Sequence, residues 1–277
     1  MNNINIWKKK SFLISVIITI IILLSIFFII YVNSNSYKMK QYLKQNYTSY
    51  AEFDNHGYIL VKKEDKYGII DYDKNEIFKC IYDNASFMEY RNTYLIILSD
   101  TENNILLNNN LEEIAKSNND ILVYIDEGYA QTWNDNQFKL ISIDNKELIA
   151  KGIIDINKNT IEYLFNNGYK LISYRNKITD QDGVETEINL SALKNENNET
   201  IYDNVSINVF NDKFLLLKDE KGYKLIDFYG KDVTIYYSNN IQCQNGEIYL
   251  VNEKTNGIAK LKIIKNENGY DVVKEKV

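Results

Sequence analysis

Tyr129-Ala130-Gln131-Thr132-Trp133 is the stretch best equipped to hold a ligand. Along a strand, side chains alternate between faces, so Tyr129, Gln131 and Trp133 would share one. Aromatic rings beside a polar group form a platform suited to a sugar or a peptide. A tryptophan packed between structural units is the competing reading. These three residues are the ligand-binding candidates. No catalytic, cofactor-binding or metal-binding set is recognisable beside them.

His56 is the only histidine and stands next to Gly57. A general base or metal ligand needs partners. With none recognisable, a solvated loop histidine is expected. Asp71-Tyr72-Asp73-Lys74-Asn75 and Asp180-Gln181-Asp182-Gly183 alternate oxygen-bearing side chains, as calcium loops do. Such a loop ends on a bidentate acid at its twelfth position. Counted from Asp71, that place holds Tyr82. Counted from Asp180, Glu185 and Glu187 stand out of register. Hairpin turns explain both stretches. Cys80 and Cys243 are too few for a cysteine-based zinc site. If the first and last units became neighbours, a disulfide could join them outside the cytoplasm; two buried free thiols are the plainer reading. Asn84-Ala85-Ser86 has the pattern of a glycosylation acceptor, which means nothing in a bacterium. The heavy use of Asn, Ile, Lys and Tyr suits an AT-rich bacterial source.

Charge narrows the partners. The chain carries 32 basic and 38 acidic side chains, a net charge of −6. Lys8, Lys9 and Lys10 form the only basic run, so the rest is more acidic still. Nucleic acid is therefore not an expected partner.

Residues 11–32, Ser11 to Val32, are uncharged and rich in Ile, Leu and Phe. As a helix rising about 1.5 Å per residue they would extend about 33 Å, enough for a hydrocarbon core of roughly 30 Å. The run is longer than a signal peptide's apolar region and has no small-residue cleavage pattern. It predicts an uncleaved single-pass anchor in the cytoplasmic membrane. Residues 1–10 form a basic tail, with Trp7 as an interface anchor. Lys38, Lys40 and Lys44 follow the span and weaken the bias. The dense cluster still predicts the tail in the cytoplasm and the C-terminal part outside. Residues 33–50 read as a juxtamembrane stalk. There Tyr37, Met39, Tyr42, Leu43 and Tyr47 fall on helical spacing, with Ser36 as a possible cap. A flexible linker is the alternative.

From residue 51 to 277 the grain is β. Short β-branched and aromatic runs, such as Tyr58–Val61, Tyr94–Leu98, Ile121–Tyr124, Phe138–Ser142, Phe214–Leu217 and Ile248–Val251, alternate with turn residues. Asn110–Lys116 is the one stretch read as a possible turn of helix. A repeat runs through this region. Tyr82-Asp83-Asn84-Ala85-Ser86-Phe87 lies over Tyr202-Asp203-Asn204-Val205-Ser206-Ile207. At the same offset Tyr94–Ile97 meets Phe214–Leu217, and Ile105-Leu106 meets Leu225-Ile226. A second match sets Lys66–Asp71 over Gly222–Asp227. The two spacings suit a unit of about 36–42 residues, in the range of propeller blades. Each unit would be a small antiparallel sheet with one apolar face, buried by stacking on its neighbours. The fold class expected is all-β: a repeat-built, propeller-like domain of five or six blades behind one transmembrane helix.

Lys66-Tyr67-Gly68-Ile69-Ile70-Asp71, followed by Tyr82-Asp83, resembles the WG-repeat (KWG-repeat) family, with Tyr67 in place of tryptophan. Gly222–Lys231 resembles it more loosely. The resemblance implies stacked β units forming a propeller, often on bacterial surfaces, and no shared catalytic residues. The expected function is a membrane-anchored binding module for a protein, peptide or glycan outside the cell. The alternatives are a propeller-type hydrolase working with paired carboxylates and a packing subunit of a membrane complex.

Overall fold

The computed structural model describes residues 20, 23–27, 29–31, 33–52, 57–179, 185–252, 257–267 and 269–276. His56, Asp180–Gly183 and most of the 11–32 span lie outside the described residues. Among the described residues no helix is long and apolar enough to cross a membrane. The chain divides into two compact units, Met1–Asp83 and Asn84–Val277.

The first unit packs one helix on one sheet. Helix α1 (Asn35–Asn46) is capped by Ser34, whose hydroxyl accepts from the Tyr37 N–H at 3.2 Å. The cap is thus Ser34 rather than Ser36, because Ser36 already lies within the helix. Four antiparallel strands follow in sequence order: β1 (Ser49–Glu52), β2 (Tyr58–Lys63), β3 (Lys66–Asp71) and β4 (Glu76–Tyr82). Met39 and Leu43, one helical turn apart, are buried against Ile59, Val61 and Ile70. Burying a side chain such as Leu43 stabilises by about 1.5–3 kcal/mol. The helix at 35–46 is thus part of a packed core. Gly68 lies where β3 closes on β4 across a register shift. A Cβ there would stand 2.7 Å from the Phe78 carbonyl oxygen, so the glycine of the Lys-Tyr-Gly phrase is a steric need.

The second unit is a run of antiparallel meanders. The first sheet holds β5 (Asn84–Tyr90), β6 (Thr93–Ser99), β7 (Asn104–Leu107) and β8 (Glu113–Ser117). Strand β8 occupies most of the stretch read as a possible helical turn. Asn108 makes the turn before it, its side chain accepting from the Glu112 N–H at 2.9 Å. A ten-stranded sheet comes next: β9 (Ile121–Tyr124), β10 (Tyr129–Asn134), β11 (Gln137–Ser142), β12 (Leu148–Asp155), β13 (Thr160–Phe165), β14 (Lys170–Thr179), β15 (Glu185–Lys194), β16 (Thr200–Val209), β17 (Phe214–Asp219) and β18 (Gly222–Asp227). The last sheet holds β19 (Asn240–Gln244), β20 (Glu247–Asn252), β21 (Gly257–Asn266) and β22 (Gly269–Lys276).

Three apolar clusters follow in chain order, the first and last spanning two sheets and the middle one lying within the ten-stranded sheet. Tyr90, Leu95 and Leu106 pack with Ile121, Ala130 and Ile143. Phe138, Leu140 and Ala150 pack with Phe165, Leu193 and Leu215. Phe214 and Leu225 pack with Ile241, Ile248 and Leu250. Sheets hiding their apolar faces on neighbours are what the repeat predicted. The middle departs from it. Residues 156–159 link β12 to β13 tightly enough for a full antiparallel ladder from Ala150↔Phe165 to Asp155↔Thr160. Two expected units therefore continue as one sheet. The described residues show four-stranded sheets and one ten-stranded sheet, and no closed ring of blades.

The repeated phrases fall on equivalent places. Tyr82 ends β4 and Asn84 begins β5, in the next sheet. Tyr202 pairs with Leu193 of β15, and four residues later Ser206 pairs with Lys218 of β17. Both copies thus carry the chain from one pairing partner to the next. Asn204 takes a left-handed φ of 56° at this crossing. The other match is as close. Asp71 and Asp227 end β3 and β18, and each side chain accepts the backbone N–H four residues on, from Asn75 at 2.8 Å and from Lys231 at 2.9 Å. Lys74 and Gly230 supply the left-handed residue of each turn, at φ 72° and 75°. The stretch at Asp71 whose oxygens alternate as in a calcium loop is this turn.

Candidate functional site

The three candidates on β10 separate by burial. Tyr129 is buried and stacks on Tyr124 with ring centroids 4.7 Å apart. The Tyr124 hydroxyl donates to Gln131 Oε1 at 3.3 Å, and Gln131 is itself buried. Trp133 is half-buried, its ring 5.1 Å from that of Phe138. Tyr129 belongs to the apolar core, with Trp133 packed at its margin. Of the three, Trp133 borders an open groove that Tyr129 and Gln131 do not line.

That cavity is a groove of about 380 Å³ across β10–β13, walled by Lys116–Asn118 at the end of β8. The wall is tied down where Ser117 Oγ donates to the Trp133 carbonyl at 2.9 Å. Register builds the groove. Thr132 pairs with Lys139, Lys139 with Lys151, and Lys151 with Leu164, so the four stand in one row across the strands. The next row is Trp133, Phe138, Gly152 and Tyr163. Its rings pack on one another, with Phe138 and Tyr163 centroids 5.1 Å apart. A Cβ on Gly152 would stand 1.9 Å from the Phe138 ring, so the missing side chain lets that ring lie on β12. Lys139, Lys151, Ile153 and Leu164 are exposed. Glu162 also borders the groove, but its carboxylate faces Lys170 at 4.0 Å. Neither Lys139 nor Lys151 has an acidic partner among the described residues.

A second cluster gathers where loops of several strands meet. The Tyr90 hydroxyl donates to Asp144 Oδ1 at 2.6 Å, and Arg91 Nη1 donates to Asp144 Oδ2. The Arg91 guanidinium also lies 4.8 Å above the Tyr90 ring. Asp126 receives the Asn245 N–H on its side chain at 2.9 Å, and its carbonyl accepts from Gly246 N at 2.9 Å and Cys243 Sγ at 3.0 Å. Ser142 Oγ donates to Asp212 Oδ2 at 3.0 Å. Burial holds the Asp212 carboxyl above the usual carboxylate range. Burial also pushes the Cys243 thiol up to about 11, so it stays protonated at neutral pH. Cys80 packs beside the α1 core, and both cysteines are free thiols. Asp212 and Glu147 share a pocket of about 220 Å³ with Ser142, Asn145, Phe228 and Tyr229. Among the described residues no group of three or more metal-ligating side chains converges.

Sequence reasoning missed the lysine row and the loop cluster. Both depend on which strands pair and at what register. The alternation Phe138-Lys139-Leu140 marked the outward side of β11. Only the pairing across the 142–147 turn brings Lys151 opposite Lys139.

No family model matches the chain, and no curated protein matches it. Solved structures align along most of its length at low identity and low spatial agreement. Kluyveromyces lactis Hsv2p is 10% identical, with 83% of this chain and 98% of that one covered at a TM-score of 0.23. A eukaryotic initiation factor is 9% identical, with 82% and 88% covered at 0.26. The AfRom2 CNH domain is 11% identical, with 82% and 79% covered at 0.26.

Proposed function

We propose that the chain is a non-catalytic binding module of the WG-repeat kind, held at the cytoplasmic membrane by residues 11–32 with its β body outside the cell. The ligand is a protein, peptide or glycan, seated in the groove over β10–β13. One observation carries this reading. The groove combines free ammonium groups and amides with exposed aliphatic side chains, beside a rigid packed aromatic row. The Cys243 thiol is held protonated and donates to a carbonyl, so it is not activated as a nucleophile. The anchor is supported by Leu24, Phe27 and Ile30, helical residues 63%, 70% and 63% exposed with no polar neighbour between Leu23 and Ile30 except Ser25.

The test is a binding screen of the full chain in lipid nanodiscs against peptide and glycan panels, repeated with Leu164→Arg to block the groove. A ligand retained by the native chain and lost by the variant supports the module. A panel in which nothing is retained, or in which the variant behaves as the native chain, sinks it. Hydrolysis is the second reading, favoured by Asp212 and Glu147 lining one pocket with Tyr229. Turnover of a glycoside panel, abolished by Glu147→Gln, would establish it instead.

A further inference from the structure

We infer that the groove takes an acidic peptide segment, with one of its carboxylates held between the ammonium groups of Lys139 and Lys151. This rests on the binding-module reading and goes further by naming the ligand's chemistry. Lys139 and Lys151 face each other directly across β11 and β12. Like charges in that position repel, since directly opposed side chains on one face start about 5 Å apart. The same chain pairs many of its other lysines: Lys66 with Asp83, Lys146 with Glu112, Lys177 with Glu185 and Lys260 with Glu247. An acidic chain thus has carboxylates to spare and leaves this pair without one.

A ligand carboxylate has two oxygens and can accept from both ammonium groups at once, a charge-assisted contact. The rest of the groove selects a peptide over a sugar acid or a bare anion. Ile153 and Leu164 are aliphatic and 53% and 42% exposed, a surface for aliphatic side chains beside the acid. Asn134 and Gln137 border the same space and can meet backbone amides and carbonyls. Of the two rings that border the groove, Phe138 is only 3% exposed and Trp133 is half-buried and packed on it, which leaves little open ring face for a sugar.

The experiment measures fluorescence anisotropy of a labelled peptide in which leucine and glutamate alternate. The full chain is held in nanodiscs of zwitterionic lipid, so that the peptide is not drawn to the membrane. The double variant Lys139→Gln/Lys151→Gln should bind about tenfold more weakly or worse, and Lys79→Gln, on β4 of the first unit, as tightly as the native chain. Raising the salt should weaken the native complex and leave the residual binding of the double variant unchanged. The double variant should melt no lower than the native chain, because it removes a repulsion; this separates lost binding from lost fold. The inference is overturned if a glutamine-for-glutamate peptide binds equally well, or if the double variant keeps native affinity. It is overturned too if a glycan alone occupies the groove. In those cases Leu164→Arg still reports on the wider reading: loss of whatever ligand remains preserves the binding module, and indifference removes both.

Discussion

The row Trp133, Phe138, Gly152, Tyr163 and the row Thr132, Lys139, Lys151, Leu164 cross the same four strands, each a single residue away from the other. The first is packed ring against ring, and a glycine is spent to make room for Phe138. In the second, both lysines are exposed and set against each other. The strand period of two lets one ladder carry a packed apolar side and an open charged side. The difference teaches where each kind of change should be felt.

Removing the Phe138 ring should have the largest effect. Phe138→Ala should cost about 3–5 kcal/mol in urea unfolding, because it empties the middle of the packed row. A loss below about 1 kcal/mol would mean the row is not core. Gly152→Ala places a methyl where the Phe138 ring lies, and overpacking of this kind costs about 1–3 kcal/mol. Its sharper form is the pair Gly152→Ala with Phe138→Leu, which should recover part of the loss; no recovery would dissociate the two residues.

Asp212 brings the same contrast to a charge that is buried rather than exposed. Its carboxyl is held above its unfolded value by burial, so its ionisation opposes folding. The stability tied to its protonated form is fully present below the unfolded value and is lost as pH rises through the folded one. Asp212→Asn should therefore gain relative to the native chain as the pH is raised from acid toward neutral, measured by urea melts across that range. A constant difference between the two proteins at every pH would remove the claim. The smallest effect belongs to the exposed row. Lys151→Glu turns a repelling cross-strand pair into an attracting one and should stabilise by about 0.2–1 kcal/mol in low salt, fading as salt is added. If instead it destabilised, Lys139 and Lys151 would not be near neighbours in solution.

Much of the local architecture was legible in the sequence. Runs such as Tyr94–Leu98, Phe214–Leu217 and Ile248–Val251 are strands because alternation and turn residues are local signals. The phrase ending at Tyr82-Asp83-Asn84 told more than its length suggests, since its second copy makes the same passage between partners. What stayed hidden was non-local. Nothing in Ile156–Asn159 announces that β12 and β13 will pair fully and merge two units. The helical reading of Asn110–Lys116 failed because Asn108 commits the backbone to a turn, which propensity alone does not register. Trp133 was picked out by residue type, and it packs on Phe138, its cross-strand partner in the same sheet. The lysines beside it carry no signal until register is known.

Strand β16 hydrogen-bonds to β15 through Thr200, Tyr202 and Val205 and to β17 from Ser206 onward. One continuous segment is therefore a seam stitched into both neighbours, with no slack at which they could part. Protease nicks, hinge motions and insertions should find no purchase between Val205 and Ser206, and amide exchange on the two sides should open together.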